Sequence, residues 1–344
     1  MSPPTKEQWN ALTAKERVDI LSKTRMDCRS LSGITKGYLY DGGAEDATKC
    51  GAFNPSIVGG EQPTVIFRGE PTETTWGGHF LEQKAVPMVA KVTIKNSFAV
   101  LQERPKPIES GMPLPCRPED WRLFSHLGKT YVNFTNYFYF NSGWEQKVAQ
   151  ARTCLGILEH DRISFIREME CPFIKTRKEE KNWCFFSENN ELFCVYSVSP
   201  FIVMHCDSTG RVLRIKEETN PLPRHGNRFM ANSTNPILVN MPKLGNVFLM
   251  FVHQFFTPLG KSRNRTYFQH AFVFSPEDHK PLGFTPMPIT GGGQHIRGRH
   301  NGVVYFSGAI EDGENIVITA GEGDSHSSQY SIPKLEIVEN LQKL

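Results

Sequence analysis

Two adjacent carboxylates, Glu119 and Asp120, open the aromatic segment "EDWRLFSHLGKTYVNFTN". A carboxylate beside Pro118 and Trp121 at a strand start can cap a turn. It can also act as a general acid or base if the fold turns it toward a substrate. In an extended chain successive side chains alternate. Asp120 and Glu119 should then face opposite ways, with Asp120 as the reacting group and Glu119 behind it. Lys181 in "EEKNWCFF" holds a similar place at the head of a strand, although the charged run before it reads as a solvated loop. Asn54 and Arg68 flank an earlier β-rich unit, and an arginine fork suits sugar hydroxyls or anions. Asp324 follows the last strand of the chain's fifth β unit, in "TAGEGDSH", and could equally be a plain loop residue.

A second group is cationic and aromatic. His253, Lys261, Arg263, Arg265, Tyr267 and His270 fall close together, and "PRHGNR" and "QHIRGRHNG" add Arg224, Arg297 and neighbouring histidines. With a net charge of only +3 over 344 residues, this local concentration is informative. Clustered Arg, His and Tyr suit a phosphate, which accepts several charge-assisted hydrogen bonds. The near-neutral balance argues against bulk attraction to nucleic acid or an anionic membrane. No histidine spacing typical of a metal site occurs, and there is no phosphate loop, nucleophile elbow or dinucleotide fingerprint. No cofactor and no metal are expected.

Something must bring these distant residues together. From about residue 50 onward, short β-rich runs pair across turn residues: "NPSIVGGEQPTVIFRGE" across Gly-Gly, "RLFSHLGKTYVNFTN" and "PILVNMPKLGNVFLMFVHQ" across Leu-Gly, "CFFSENNELFCVYSVSP" across Asn-Asn and "VVYFSGAIEDGENIVITAGEGD" across Asp-Gly. Each reads as a hairpin. The polar leaders Asn54, Asp120, Lys181, Asn235 and His300 lie 66, 61, 54 and 65 residues apart. A β unit recurring five times at this spacing predicts an all-β, five-bladed β-propeller rather than a large sandwich. In a propeller the leaders converge on one axial cavity. Residues 31–344 are read as that catalytic domain. Residues 1–30 are read as a short N-terminal helical extension, with capping boxes at Thr5/Gln8 and Thr13/Glu16 and a stripe of Trp9, Leu12, Val18 and Leu21.

No apolar run reaches the roughly 20 residues of a membrane span, and the N-terminal stretch lacks a signal peptide's apolar core. Eight cysteines lie scattered without ligand-like spacing, which fits reduced thiols and a cytoplasmic protein. The terminal "QKL" only weakly echoes a peroxisomal or glycosomal tail.

The ordered motifs resemble one family. "EDWRLF" is similar to the E-D-P-R-L motif of the inverting β-mannoside phosphorylases, with Trp121 in place of Pro. "KNW" followed by "FF…ELFCVYSVSP" resembles that family's third-blade signature, and "NPSIV" with Arg68 its first-blade sugar contacts. "FSGAIEDGENIVITAGEGDS" resembles the closing run. The N-terminal extension looks more like the protozoan β-1,2-mannosyltransferase/phosphorylases. The resemblance implies a propeller with Asp120 as the single catalytic carboxylate. It implies that Asn54, Arg68, Lys181 and Asp324 hold the mannose, and that Arg152, His253 and Tyr267 hold phosphate. Arg263, Arg265 or Arg297 would extend the anion site for a nucleotide. The implied partners are β-1,2-mannooligosaccharide, phosphate or mannose-1-phosphate, and GDP-mannose. A β-mannosidase of the same fold and a non-catalytic glycan-binding propeller are the alternatives.

Overall fold

The computed structural model describes residues 33–40, 52–69, 86–111, 117–142, 145–174, 179–218, 230–256, 265–291, 302–323 and 326–344. The expected N-terminal helices, and Asp324, Arg263, Arg297 and His300, lie outside the described residues. Among those described, nearly all regular structure is antiparallel β, and a single helix, Lys334–Glu339, follows the last long strand. No described helix is long and apolar enough to cross a membrane.

The strands form five sheets. The first runs Ala52–Val58, Thr64–Gly69, Val86–Lys95 and Phe98–Leu101. The second runs Arg117–His126, Lys129–Ser142, Glu145–Glu159 and Arg162–Glu168, and the third Cys184–Glu188, Glu191–Val198, Phe201–Cys206 and Val212–Glu218. In the fourth, Ala231–Asn232 and Ile237–Met241 both pair with Gly245–Phe256, followed by Thr266–Phe274 and Pro281–Phe284. The fifth takes Val304–Asp312, Asn315–Glu322 and His326–Pro333, and its outer strand is Thr35–Tyr40 from near the start of the chain.

Local sequence explains the hairpins. Two-residue turns need positive φ at both central residues to match strand twist. Leu127 and Gly128 have φ of 50° and 71°, and Asn189 and Asn190 have 49° and 64°. The Gly59-Gly60 connection is longer than the expected tight turn, since pairing resumes only at Thr64.

Apolar cores lie between neighbouring sheets. Trp121, Leu123 and Phe134 of the second sheet pack with Val58 and Ile66 of the first. Phe124 and Tyr131 pack with Phe185 and Cys194 of the third, whose Phe186, Phe193 and Phe201 meet Phe248, Phe272 and Phe274 of the fourth. Leu249, Phe251 and Val273 meet Phe306, Ile318 and Tyr330 of the fifth, and Ile310 and Val317 return to Ile57, Val65 and Phe67 of the first. Each sheet thus shares a core with the next, and the fifth with the first. The arrangement is propeller-like, with the first strands of the sheets facing one another.

Two ion pairs, the first of them largely buried, hold the last sheet in place. Lys36 Nζ, on the outer strand, lies 2.7 Å from Glu322 Oε1, which also accepts from the Tyr330 hydroxyl at 2.8 Å. Lys334 Nζ reaches Glu311 at 2.6 Å and the Asn240 carbonyl at 3.1 Å, tying the fifth sheet to the fourth. Breaking a buried pair leaves an uncompensated charge. Lys36→Met should therefore destabilise the protein by about 3–5 kcal/mol in denaturant unfolding. A loss below about 1 kcal/mol, the worth of an exposed pair, would mean that this strand does not depend on the contact.

Candidate active site

The site starts from a backbone feature. Asn54 (φ 49°), Asp120 (φ 55°) and Asn182 (φ 63°) are left-handed residues at the heads of the first three sheets. Asn and Asp tolerate this conformation better than most residues because their short polar side chains bond locally. Strand register shifts between Phe53 and Ser56, and again between Glu119 and Arg122. Such a bulge re-aims a side chain that regular pleating would direct elsewhere.

The bulge corrects the alternation argument for Glu119. The chain is not extended at Asp120, so the two carboxylates do not face opposite ways but both reach the first sheet. Asn54 Nδ2 donates to Asp120 Oδ1 at 3.1 Å. Arg68 donates through both terminal nitrogens to the two oxygens of Glu119, each at 2.9 Å, and its guanidinium lies 5.0 Å from the Phe53 ring centroid. Arg68 thus clamps Glu119, while Asp120 Oδ2 has no hydrogen-bond partner among the described residues. Asn54 is seated by Gly321, where an added Cβ would fall 1.7 Å from Asn54 Oδ1.

The leader of the third sheet is corrected by one residue. Asn182, not Lys181, shares the left-handed backbone of Asn54 and Asp120. Lys181 is about one-third exposed and bonds the Tyr137 hydroxyl at 3.4 Å and Glu179 at 3.1 Å. Asn235, the expected fourth leader, is buried between sheets. It accepts from the Phe185 amide and donates to Asn133 Oδ1, both at 2.9 Å, and does not present itself to a ligand.

Arg122 supplies the floor, and the motif reading passed over it. Its side chain is 1% exposed. It donates to the Asp120 carbonyl at 3.1 Å and to Asn182 Oδ1 at 3.0 Å, and it also donates to the Ser233 carbonyl and the Tyr305 hydroxyl. One guanidinium therefore joins the second, third, fourth and fifth sheets. Burial disfavours its charge, but the Tyr305 hydroxyl that accepts from it and the nearby Asp120 carboxylate outweigh that and keep it protonated. Burial also pushes the Tyr305 hydroxyl well above its ordinary range, so it stays neutral. The available signal was a charged residue inside the apolar run from Trp121 to Phe124. Asn182, Ser233, Gln269 and Tyr305 carried no comparable signal, since their partners are remote in sequence.

His253 stands beside Arg122's partners. Its ring stacks on Tyr267 with centroids 5.4 Å apart and meets the edge of Tyr305 at 5.2 Å. Phe255 continues the stack from Tyr267 at 5.6 Å, and the exposed Arg265 lies 5.0 Å from the Phe255 centroid. Burial, then Arg122 and Lys181, lower the His253 pKa to about 3, against a smaller opposing effect of the Asn232 backbone. His253 is therefore neutral near physiological pH and not the cation that the composition suggested. Arg152 donates to the Ala151 carbonyl at 2.9 Å and to Gln150 Oε1 at 3.1 Å, in register with Asn136 of the same sheet. Among the described residues no cluster of His, Cys, Asp and Glu could hold a metal. The buried thiols of Cys184 and Cys206 are pushed up to about 12, and are inert as thiolates.

The arrangement offers one carboxylate with an oxygen that meets no described donor, a buried guanidinium bonded to its backbone, and a run of stacked rings beside that guanidinium's partners. No protein-family model matches the chain, and no curated protein matches it by sequence. Solved structures do match it in fold. A β-1,2-mannobiose phosphorylase from Listeria innocua, in complex with β-1,2-mannobiose, is 14% identical with a TM-score of 0.58, covering 89% of this chain and 98% of its own. A mannose phosphorylase from Leishmania mexicana, in complex with phosphate, is 10% identical with a TM-score of 0.53, covering 87% and 89%. A GDP-Man-dependent mannosyltransferase from the same organism is 13% identical with a TM-score of 0.53, covering 93% and 94%.

Two outcomes test the site's construction. Arg122→Lys cannot span four acceptors, and should cost about 3 kcal/mol or more in unfolding experiments. Acidification tests His253. Between pH 6.5 and about 3 the unfolded chain protonates a histidine that the folded chain keeps neutral. Stability should fall as pH falls through that window, and His253→Gln should flatten that part of the profile. An unchanged slope in the variant would mean that His253 is charged in the folded protein.

Proposed function

We propose that the protein catalyses reversible, inverting transfer of mannose between β-1,2-mannooligosaccharide and phosphate, with mannose-1-phosphate as the sugar phosphate. The observation that carries this is the unequal fate of the two carboxylates. Glu119 is clamped by Arg68, whereas Asp120 is held by Asn54 through one oxygen with the other open. An inverting hydrolase needs a second carboxylate to activate water, about 6.5–9.5 Å from the acid. A phosphorylase does not, because phosphate is itself the nucleophile. Solved structures of the same fold include hydrolases that target β-1,2 mannosidic linkages as well as the phosphorylase and the mannosyltransferase, so it is the carboxylates, not the fold, that support phosphorolysis over hydrolysis.

In this reading the five sheets are five blades around one axis. Asn54, Lys181 and Asp324 hold the mannosyl ring above the Arg122 floor. Arg68 acts on the sugar side while holding Glu119 in place. Asp120 gives its proton to the glycosidic oxygen through the 3-hydroxyl of the mannose, the relay that the family resemblance implies. The bond from C1 to that oxygen breaks as a phosphate oxygen attacks C1 from the opposite face. The products are α-mannose-1-phosphate and a shortened oligosaccharide. Arg152, His253 and Tyr267 bind the phosphate, and cationic stabilisation serves the same group when it leaves in the synthetic direction. GDP-mannose is a second donor in this scheme, with Arg265 extending the anion site along the stacked rings.

Incubation with a β-1,2-mannooligosaccharide should yield mannose-1-phosphate only when phosphate is present. Release of free mannose without phosphate would identify a hydrolase instead. GDP-mannose should support chain extension if the second donor is used. Asp120→Asn should lower turnover by about 10²–10⁴-fold, and a loss of less than about tenfold would move the proton transfer to another group.

A further inference from the structure

The hydrogen bonds behind His253 determine which edge of the ring carries its proton. Gln269 Nε2 donates to the Val304 carbonyl at 2.8 Å, which fixes the orientation of the Gln269 amide. Gln269 Oε1 is then an acceptor, and Ser233 Oγ donates to it at 3.2 Å. A hydroxyl has one proton to give. With that proton spent on Gln269, the 2.9 Å contact between Ser233 Oγ and His253 Nδ1 requires the ring to donate. Nδ1 carries the hydrogen, a tautomer assigned by the network rather than by a visible proton. A neutral imidazole with a proton on Nδ1 offers Nε2 only as an acceptor. The neutrality has a physical source in the burial of the ring and in the nearby charges of Arg122 and Lys181.

We infer that His253 selects for an oxyanion that brings its own proton, and that the subsite therefore takes hydrogen phosphate and rejects sulfate. The inference rests on reading the stacked pair His253 and Tyr267 as part of an anion subsite. Inorganic phosphate retains a proton near neutral pH and can donate it to Nε2. Sulfate has the same shape but no proton, so its oxygen would face a bare nitrogen, acceptor against acceptor. A site built to pair with a hydroxyl discriminates strongly against an analogue that lacks it. A phosphate monoester, with a second pKa near 6, can also carry the proton. The linked phosphates within a nucleotide diphosphate sugar cannot, so the same acceptor favours phosphate or mannose-1-phosphate over GDP-mannose at this position.

The test measures phosphate, arsenate and sulfate binding to the full chain by calorimetry at pH 7 and constant ionic strength. Phosphate and arsenate, which both keep a proton, should bind alike and about tenfold or more tighter than sulfate. In His253→Gln the side-chain amide can turn its NH2 to the anion, and sulfate should come within about threefold of phosphate. Equal binding of phosphate and sulfate to the unaltered protein would overturn the inference, because a histidine that took up a proton on binding would serve both anions. A gap that persists in a folded His253→Gln would also overturn it. If the variant does not fold, the three-anion series on the unaltered protein still decides. Binding of none of the three would instead overturn the anion subsite itself, and with it the phosphorylase reading.

Discussion

The interaction on which the centre of this molecule depends is a buried guanidinium with partners on four sheets. Among the described residues, Arg122 has no carboxylate clamped to it in the way that Glu119 is clamped to Arg68. Its charge is balanced by a carbonyl of its own strand, a carbonyl of the fourth sheet, an amide of the third and a phenol of the fifth. A charge in that position is tolerated only when its donors are met, because an unpaired one costs several kcal/mol. The planar fork fits acceptors that converge from different directions, which an ammonium could not satisfy from one point. Contacts among four sheets therefore meet at a single side chain.

The same coupling shapes the chemistry above it. Arg122 takes the peptide carbonyl of Asp120, so the strut holds the backbone that carries the carboxylate. Asn54 then fixes one oxygen of that carboxylate from the neighbouring sheet, against the flat space left by Gly321. Arg122 also contributes to keeping His253 neutral, at the opposite end of its hydrogen-bond set. A permanent positive charge beside the ring thus favours an uncharged imidazole there.

Much of the architecture was legible along the chain. Leu-Gly and Asn-Asn turns announced hairpins because few residues accept the backbone they require. The recurrence of β units pointed to radial repetition, and the observed cores do run from each sheet to the next. The leaders Asn54 and Asp120 were recognisable as polar residues at strand heads. Lys181 was off by one position, since a period counted in residues does not reveal which peptide is left-handed. Glu119 was misdirected for a related reason: alternation assumes pleating, and a bulge interrupts it at that point. His253 and Tyr267 could be picked out by type, but not the stack they form or the neutrality of the ring.

The sequence by itself determined the local terms: which segments are strands, where they turn, and which residue types are available for acid–base and anion chemistry. These follow from steric limits on φ and from side-chain alternation, which depend only on near neighbours. Tertiary structure alone decided the pairings of Asn54 with Asp120, of Arg68 with Glu119, of Arg122 with the three other sheets and of Ser233 with His253. Those contacts join residues from 20 to 183 positions apart. Protonation and orientation at the site are properties of burial and of opposing partners, and neither exists until the ring has closed.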